Sequence, residues 1–288
     1  MQSFLETDED FMDVVRCSFE MSPHLATVGS CAVIGVVSKA KLFVGNLGDS
    51  RAVLGTVDGS ADSGNCLAVP LSQVHNVNNE DVRRELISKF PDDRQIVTER
   101  RGVYRVKGKV QVTRAFGDCY LKAREFNQEP LFPRFRVPEP FYPPVITAEP
   151  EVTMRLLSPQ DQFIIFASDG LWEYVTPQEA VDVVYHTNRG DVARMLIKFT
   201  LQRAAKKHDM TYGDLLKLSR GQRREFHDDI TVIIFFFTKD VNDTLWGEST
   251  YHSVRGNGND SIRGDTVFEP DRQIQDEEEM DLFGVDDG

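Results

Sequence analysis

Residues 29–55 read GSCAVIGVVSKAKLFVGNLGDSRAVLG, and this stretch decides the fold class. Ser30–Val37, Lys41–Asn46 and Arg51–Leu54 have the length and apolar content of strands. Lys39-Ala40 and Gly48-Asp49-Ser50 stand between them as tight turns, too short to hold a crossover helix. The pattern predicts an antiparallel β-meander, not a βαβ unit.

Working outward, helical and strand patterns interleave. Thr7–Glu20 carries apolar residues at 11, 14, 15 and 19, a helical period with Thr7 as N-cap. Glu80–Phe90 predicts a helix with Val82, Leu86, Ile87 and Phe90 on one face and Pro91 as its stop. Tyr104–Thr113 alternates and predicts strands. Gln128–Pro150 contains seven prolines and predicts an extended loop. Glu151–Leu157 alternates again, and Gln162–Ala167 predicts a buried strand. Thr176-Pro177-Gln178-Glu179 is a capping box opening a helix over Pro177–His186. Asp191 caps a second helix with Val192, Met195, Leu196 and Phe199 on its core face. Ile230–Phe237 predicts a last buried strand. Antiparallel strands covered by helices define an α+β layered fold.

Composition narrows the classes. Of 288 residues, 40% are hydrophobic and 10% aromatic, which supplies a sizeable core and excludes a wholly disordered chain. No apolar run approaches the roughly 18 residues of a membrane span, and MQSFLETDED lacks a signal-peptide pattern. Cysteines at 17, 31, 66 and 119 show no C-x-x-C spacing, which fits a reducing compartment, and the lack of a targeting segment predicts the cytoplasm. The net charge of −13 is concentrated: residues 240–288 hold 14 acids and 3 Arg, leaving −2 for residues 1–239. This predicts a folded domain over 1–239 and a disordered acidic tail over 240–288. The tail has Met280, Leu282 and Phe283 in an acidic run, a candidate partner-docking motif. No basic stripe is present, so nucleic acid is not an expected partner and a carboxylate-metal nuclease is disfavoured.

Three segments set an acid where an apolar strand meets a turn: Asn46–Arg51 with Asp49, Phe166–Gly170 with Asp169, and His227–Ile230 with Asp228. An Asp beside Gly is by itself an ordinary turn residue. Three at strand ends can converge, and converging carboxylates repel unless a cation sits between them. Hard oxygen donors of this kind suit Mg²⁺ or Mn²⁺. The six His residues form no H-x-x-x-H pattern, and His227 beside Asp228 is the suggestive one. G-x-S-x-G and G-x-x-x-x-G-K-[ST] are both missing, which disfavours a serine hydrolase and a P-loop NTPase.

Four blocks in order carry a family likeness. They are Gly29-Ser30-Cys31 with LFVGNLGDSRAVLG, VTRAFGDCYLK (Val112–Lys122), FIIFASDGLWEYV (Phe163–Val175) and FHDDITVI (Phe226–Ile233). From about Thr7 to Phe237 the chain resembles the metal-dependent type 2C protein serine/threonine phosphatases. EFNQEPLFPRFRVPEPFYPP is similar to the plant subgroup called clade D. The resemblance implies two antiparallel β-sheets packed as a sandwich and flanked by helices. It implies hydrolysis of phosphoserine and phosphothreonine in protein substrates by a metal-bound water, bridged between two Mg²⁺ or Mn²⁺ ions, without a phosphoenzyme. Carried over, Asp169 and Asp228 match metal ligands, and Asp49 matches a third, weaker metal site. Gly170 and Arg51 match structural positions, and a nuclear share is implied beside the cytoplasm.

The family's opening segment carries D-G-H-G, with a metal-ligating Asp, and an Arg that grips the substrate phosphate. This sequence contains no D-G-H, and Val74 stands before His75 where the family has an acid. The resemblance therefore implies an N-terminally truncated form of the fold. Two readings follow: part of an active phosphatase, or an inactive relative serving as a binding or regulatory protein.

Overall fold

The computed structural model describes residues 1–57 and 65–237. These belong to the first of two units of the chain, Met1–Ser249 and Thr250–Gly288. The predicted acidic tail over 240–288 lies outside the described residues.

Lys39 and Ala40 both take left-handed backbone, at φ 49° and 58°. That is the geometry of a two-residue type I′ turn, whose twist matches a pair of strands. It joins β2 (Ala32–Ser38) to β3 (Lys41–Leu47) in unbroken register from Ala32↔Leu47 to Ser38↔Lys41. Gly29–Ser30 forms a separate β1 that pairs with β8 (Phe116–Gly117).

The predicted meander ends at the next turn. Gly48, at φ 101°, turns the chain out of this sheet, and β4 (Arg51–Val57) enters a second one. Leu42 and Val44 on β3 cluster with Ala52 and Leu54 on β4 between the two layers. Pairing within one layer would leave that shared face uncovered. β4 runs antiparallel between β5 (Cys66–Pro70) and β10 (Asp161–Ala167), and β10 pairs in turn with β11 (Val232–Phe236). The first sheet is completed by β9 (Glu151–Leu156), giving the order β2-β3-β9 against β11-β10-β4-β5. The implied sandwich is thus present. Its layers approach so closely that a Cβ at Gly35 of β2 would lie 2.5 Å from the Phe166 ring.

Helices cover the second sheet. The capping box of α4 (Pro177–His186) forms as predicted: Thr176 accepts from the Glu179 backbone, and Glu179 returns to Thr176. α4 and α5 (Val192–Lys207) pack Val181, Val184 and Leu196 against Phe163, Ile165 and Ala167. Each fully buried Leu, Ile or Phe of this kind contributes about 1.5–3 kcal/mol. Asp191 precedes α5 but makes no capping bond, because its backbone is already helical (φ −114°, ψ −5°). A four-residue α3 (Asp169–Trp172) follows β10, and two short helices, α6 (Tyr212–Lys217) and α7 (Arg220–Arg223), precede β11.

A further core lies under α1 (Gln2–Ser18), α2 (Glu80–Lys89) and the hairpin of β6 (Val97–Arg100) with β7 (Val103–Val106). α1 begins earlier than predicted, and Thr7 is no cap: its hydroxyl donates to the Ser3 carbonyl at 2.7 Å. Val15 and Phe19 are buried, whereas Val14 points to solvent. Strand structure in Tyr104–Thr113 stops at Val106, because Lys107 turns at φ 50°. The Pro-rich 128–150 stretch has no regular element, yet it buries Leu131, Phe141 and Ile146 in this core. β11 departs from the prediction of a buried strand. It has one sheet neighbour, so Ile234 and Phe236 pack on the helix side while Ile233 and Phe235 stay 62% and 43% exposed. Among the described residues no helix is long and apolar enough to cross a membrane.

Candidate active site

The strand register brings the three acids together. Ala167, the end of β10, pairs with Arg51 at the start of β4 and with Val232 at the start of β11. Antiparallel order thus puts the approach to β4, the exit of β10 and the approach to β11 on one rim of the second sheet. Asp49 precedes β4, Asp169 follows β10 and Asp228 precedes β11, so all three arrive at that rim.

Local contacts hold each one. Ser168 donates from its hydroxyl to the Asp229 carbonyl at 2.9 Å and accepts from the Thr231 amide at 3.0 Å. A Cβ on Gly170 would sit 2.4 Å from the Asp229 carbonyl oxygen, so α3 reaches the 228–229 segment because residue 170 is glycine. Trp172 donates from its indole to the Ala167 carbonyl at 3.0 Å, closing α3 back onto β10. Asp228 accepts from the Asp229 amide at 2.7 Å and pairs with Arg224 at 3.3 Å. Asp49 accepts from the Asn76 side-chain amide at 2.9 Å and from the Cys31 thiol at 3.4 Å. Burial, with the Asp49 charge added, pushes that thiol up to about 12, so Cys31 is a neutral donor here.

The carboxylates sense one another. Asp169 is pushed up to about 6, first by burial and then by the charges of Asp49, Asp228 and Glu173. Glu173 is raised by burial and by Asp228, with Lys207 opposing. Asp49, Asp169 and Glu173 line a cleft of about 440 Å³ together with Arg51, Trp172 and an amide wall that includes Asn76 and Gln111. Asp228 is not among the residues lining that cleft, although its charge reaches Asp169.

His227 does not join them. Its Nδ1 bonds the Asp228 carbonyl at 2.7 Å, and its Nε2 is buried without a partner. His75 lies behind the cleft wall, its amide donating to the Gly48 carbonyl at 3.0 Å. Burial and the nearby Arg114 hold its imidazole down at about 4, so it is neutral near pH 7.

Among the described residues no group of three or more His, Cys, Asp or Glu side chains is placed to hold a metal ion. The donors nevertheless fit a hard divalent cation in kind: they are carboxylate oxygens held where they repel, and a cation between them removes the repulsion. A six-oxygen shell would take its remaining donors from water.

Glu173 and the amide wall were missed from sequence. Glu173 had a signal, lying four residues after Asp169 across one helical turn. Asn76 had none, because its place depends on the Asn76↔Val112 bridge, a long-range pairing.

The sequence pattern of the family described as "Protein phosphatase 2C" matches residues 1–209, and the chain belongs to that family. Probable protein phosphatase 2C 72 of Oryza sativa subsp. japonica is 49% identical over 257 residues, covering 89% of this chain and 65% of the relative. Probable protein phosphatase 2C 36 of the same organism is 52% identical over 238 residues, covering 83% and 61%. Probable protein phosphatase 2C 38 of Arabidopsis thaliana is 47% identical over 257 residues, covering 89% and 66%. The chain therefore spans less than two thirds of the length of these curated relatives. Among solved structures, a C. elegans sex determining protein shares the fold at a TM-score of 0.52 and 18% identity, covering 83% of this chain and 46% of that one.

Proposed function

We propose that this chain works as a metal-dependent protein serine/threonine phosphatase, hydrolysing phosphoserine and phosphothreonine with Mg²⁺ or Mn²⁺. The observation that carries the reading is the arrival of Asp49, Asp169 and Asp228 at one sheet rim, where burial and then the neighbouring acids raise Asp169. Asp169 and Asp228 would hold the cation, and Asp49 would support a weaker site. When bound, such a cation lowers the pKa of a water and neutralises charge on phosphoryl oxygens. The chain's own residues do the positioning. Asn76 orients the Asp49 carboxylate, Arg224 orients Asp228, and Ser168 with Gly170 ties the 228–229 segment to α3. Within the family, the Pro-rich 128–150 stretch favours the plant clade D subgroup. Cytoplasm with a nuclear share is the proposed location, tested by imaging a tagged chain.

A second reading is an inactive relative that binds partners. The observation favouring it is that no three-ligand group is formed among the described residues.

One experiment separates the two. The full chain is assayed on a phosphothreonine peptide with and without Mn²⁺, beside the Asp169→Asn/Asp228→Asn variant, with Mn²⁺ binding measured in parallel. The phosphatase reading expects Mn²⁺-dependent turnover that falls to background in the variant, together with weakened Mn²⁺ binding. Turnover unchanged in the variant would sink the metal assignment. A folded wild-type chain without turnover would favour the binding reading.

A further inference from the structure

We propose that Arg51 is the residue that grips the phosphoryl group in this cleft. The inference rests on the phosphatase reading for the identity of the ligand and on the following geometry for the residue.

Arg51 opens β4 and is paired in register with Ala167, two residues before Asp169. Its side chain lines the cleft beside Asp49, Asp169 and Glu173, and it is the cation among the charged residues there. The resemblance gave it a structural role, but an arginine that ties a loop in place would show hydrogen bonds. Among the described residues the Arg51 side chain makes none, and it has no ion pair within 4.0 Å. Its Nε is buried without a partner. Its recorded contact is with the Trp172 ring, with Cζ 5.9 Å from the centroid. This fits a guanidinium lying near the Trp172 ring with its donors unspent.

Among the described residues, nearby cations have other contacts: Lys207, whose charge reaches Glu173, lies over the Tyr174 ring. Arg224 pairs with Asp228 and Asp229, Arg114 donates to the Glu149 carbonyl, and Arg83 donates to the Val77 carbonyl. A phosphate monoester entering this cleft meets three carboxylates that repel it. Among the residues lining the cleft, Arg51 supplies the positive charge that would attract it, beside the proposed cation. The planar guanidinium presents parallel N–H donors that match two phosphoryl oxygens side by side, which a lysine ammonium cannot do.

The test uses the full chain with Mn²⁺ present, as wild type, Arg51→Gln and Arg51→Lys. Circular dichroism confirms folding, and Arg51→Lys keeps the charge and most of the stem should Arg51→Gln fail to fold. Readouts are KM and kcat on a phosphothreonine peptide, binding of inorganic phosphate, and Mn²⁺ affinity. Arg51→Gln is expected to raise KM and weaken phosphate binding by roughly 10- to 100-fold. Mn²⁺ affinity should be unchanged or tighter, since a cation beside the carboxylates has been removed. Arg51→Lys should recover part of the phosphate binding. A folded Arg51→Gln with KM and phosphate affinity near wild type overturns the proposal while leaving the phosphatase reading intact. Phosphate binding that depends on Arg51 in a chain without turnover supports the proposal and counts against the phosphatase reading. A wild-type chain that binds no phosphate overturns the proposal.

Discussion

Asp118 shows how one side chain ties two sequence blocks together. It sits at φ 48°, and its amide donates to the Val28 carbonyl at 2.7 Å. Its carboxylate lies against Gly29, where a Cβ would be 2.0 Å from Oδ2. The GS block and the FGD block are therefore two halves of one contact, through Gly29↔Gly117. Burial pushes the Asp118 carboxyl up to about 6 from the ordinary 3.8, with Lys122 opposing and Asp8 adding. The folded state thus holds a proton between about pH 4 and 6 that the unfolded chain has released, so this group makes stability fall as pH rises through that window. Above it the charge costs on the order of 3 kcal/mol. Asp118→Asn, which suits left-handed backbone, should raise stability at pH 7.5 by about 1–3 kcal/mol and leave it unchanged at pH 4. Urea unfolding at both pH values checks this, and an equal effect at both would refute the assignment.

Among the elements, those with local causes were legible. The α4 capping box, the turn at Lys39-Ala40 and the strand at β10 each follow from a few neighbouring residues. The crossing at Gly48 was not, because the competition between pairing in one sheet and covering another is decided by distant strands. The same holds for the buried ion pair of Lys107 with Asp93 at 2.8 Å, exposed by 0% and 1%. It joins the turn after α2 to the end of β7, and Lys107 also donates to the Pro140 carbonyl at 2.6 Å, anchoring the Pro-rich stretch. Asp93 meanwhile accepts from the Gln95 amide at 3.0 Å. Lys107→Met should cost about 3–5 kcal/mol by leaving Asp93 charged and unpaired. Adding Asp93→Asn keeps the turn bond, removes the orphan charge and should recover much of the loss. A double variant no better than the single in urea unfolding would mean that packing of the lysine stem, not charge, sets the cost.

For the whole molecule, the acids at strand ends could be picked out from sequence as a set, because turn residues next to apolar runs stand out. Their convergence needed the β4-β10-β11 order, which no local pattern encodes. The molecule also shows what the described residues leave bare. Val36, Phe43, Met154 and Leu156 are exposed on the outer side of the first sheet, and Ile233 and Phe235 on the inner side of β11. β2 is an edge strand with no charge between Ala32 and Ser38, and nothing in its composition discourages strand-to-strand pairing. Such patches promote association. The chain should self-associate at micromolar concentrations, and Met154→Thr/Leu156→Thr/Phe235→Thr should reduce this without loss of fold, since each position is solvent-facing. Sedimentation velocity decides it: a wild type that is monomeric throughout, or a triple variant that associates equally, would count against this view.

The sheet order also sets a timetable. Asp49 is made before its partners, but its rim does not exist until β10 arrives to pair with β4, and Asp228 comes later still, just ahead of β11. Pairings so distant along the chain close slowly. A growing chain therefore passes through a stage in which the sandwich is half-built and has no affinity for a cation. If the rim holds the proposed cation, its capture would come only at the end of folding, once the last strand has docked.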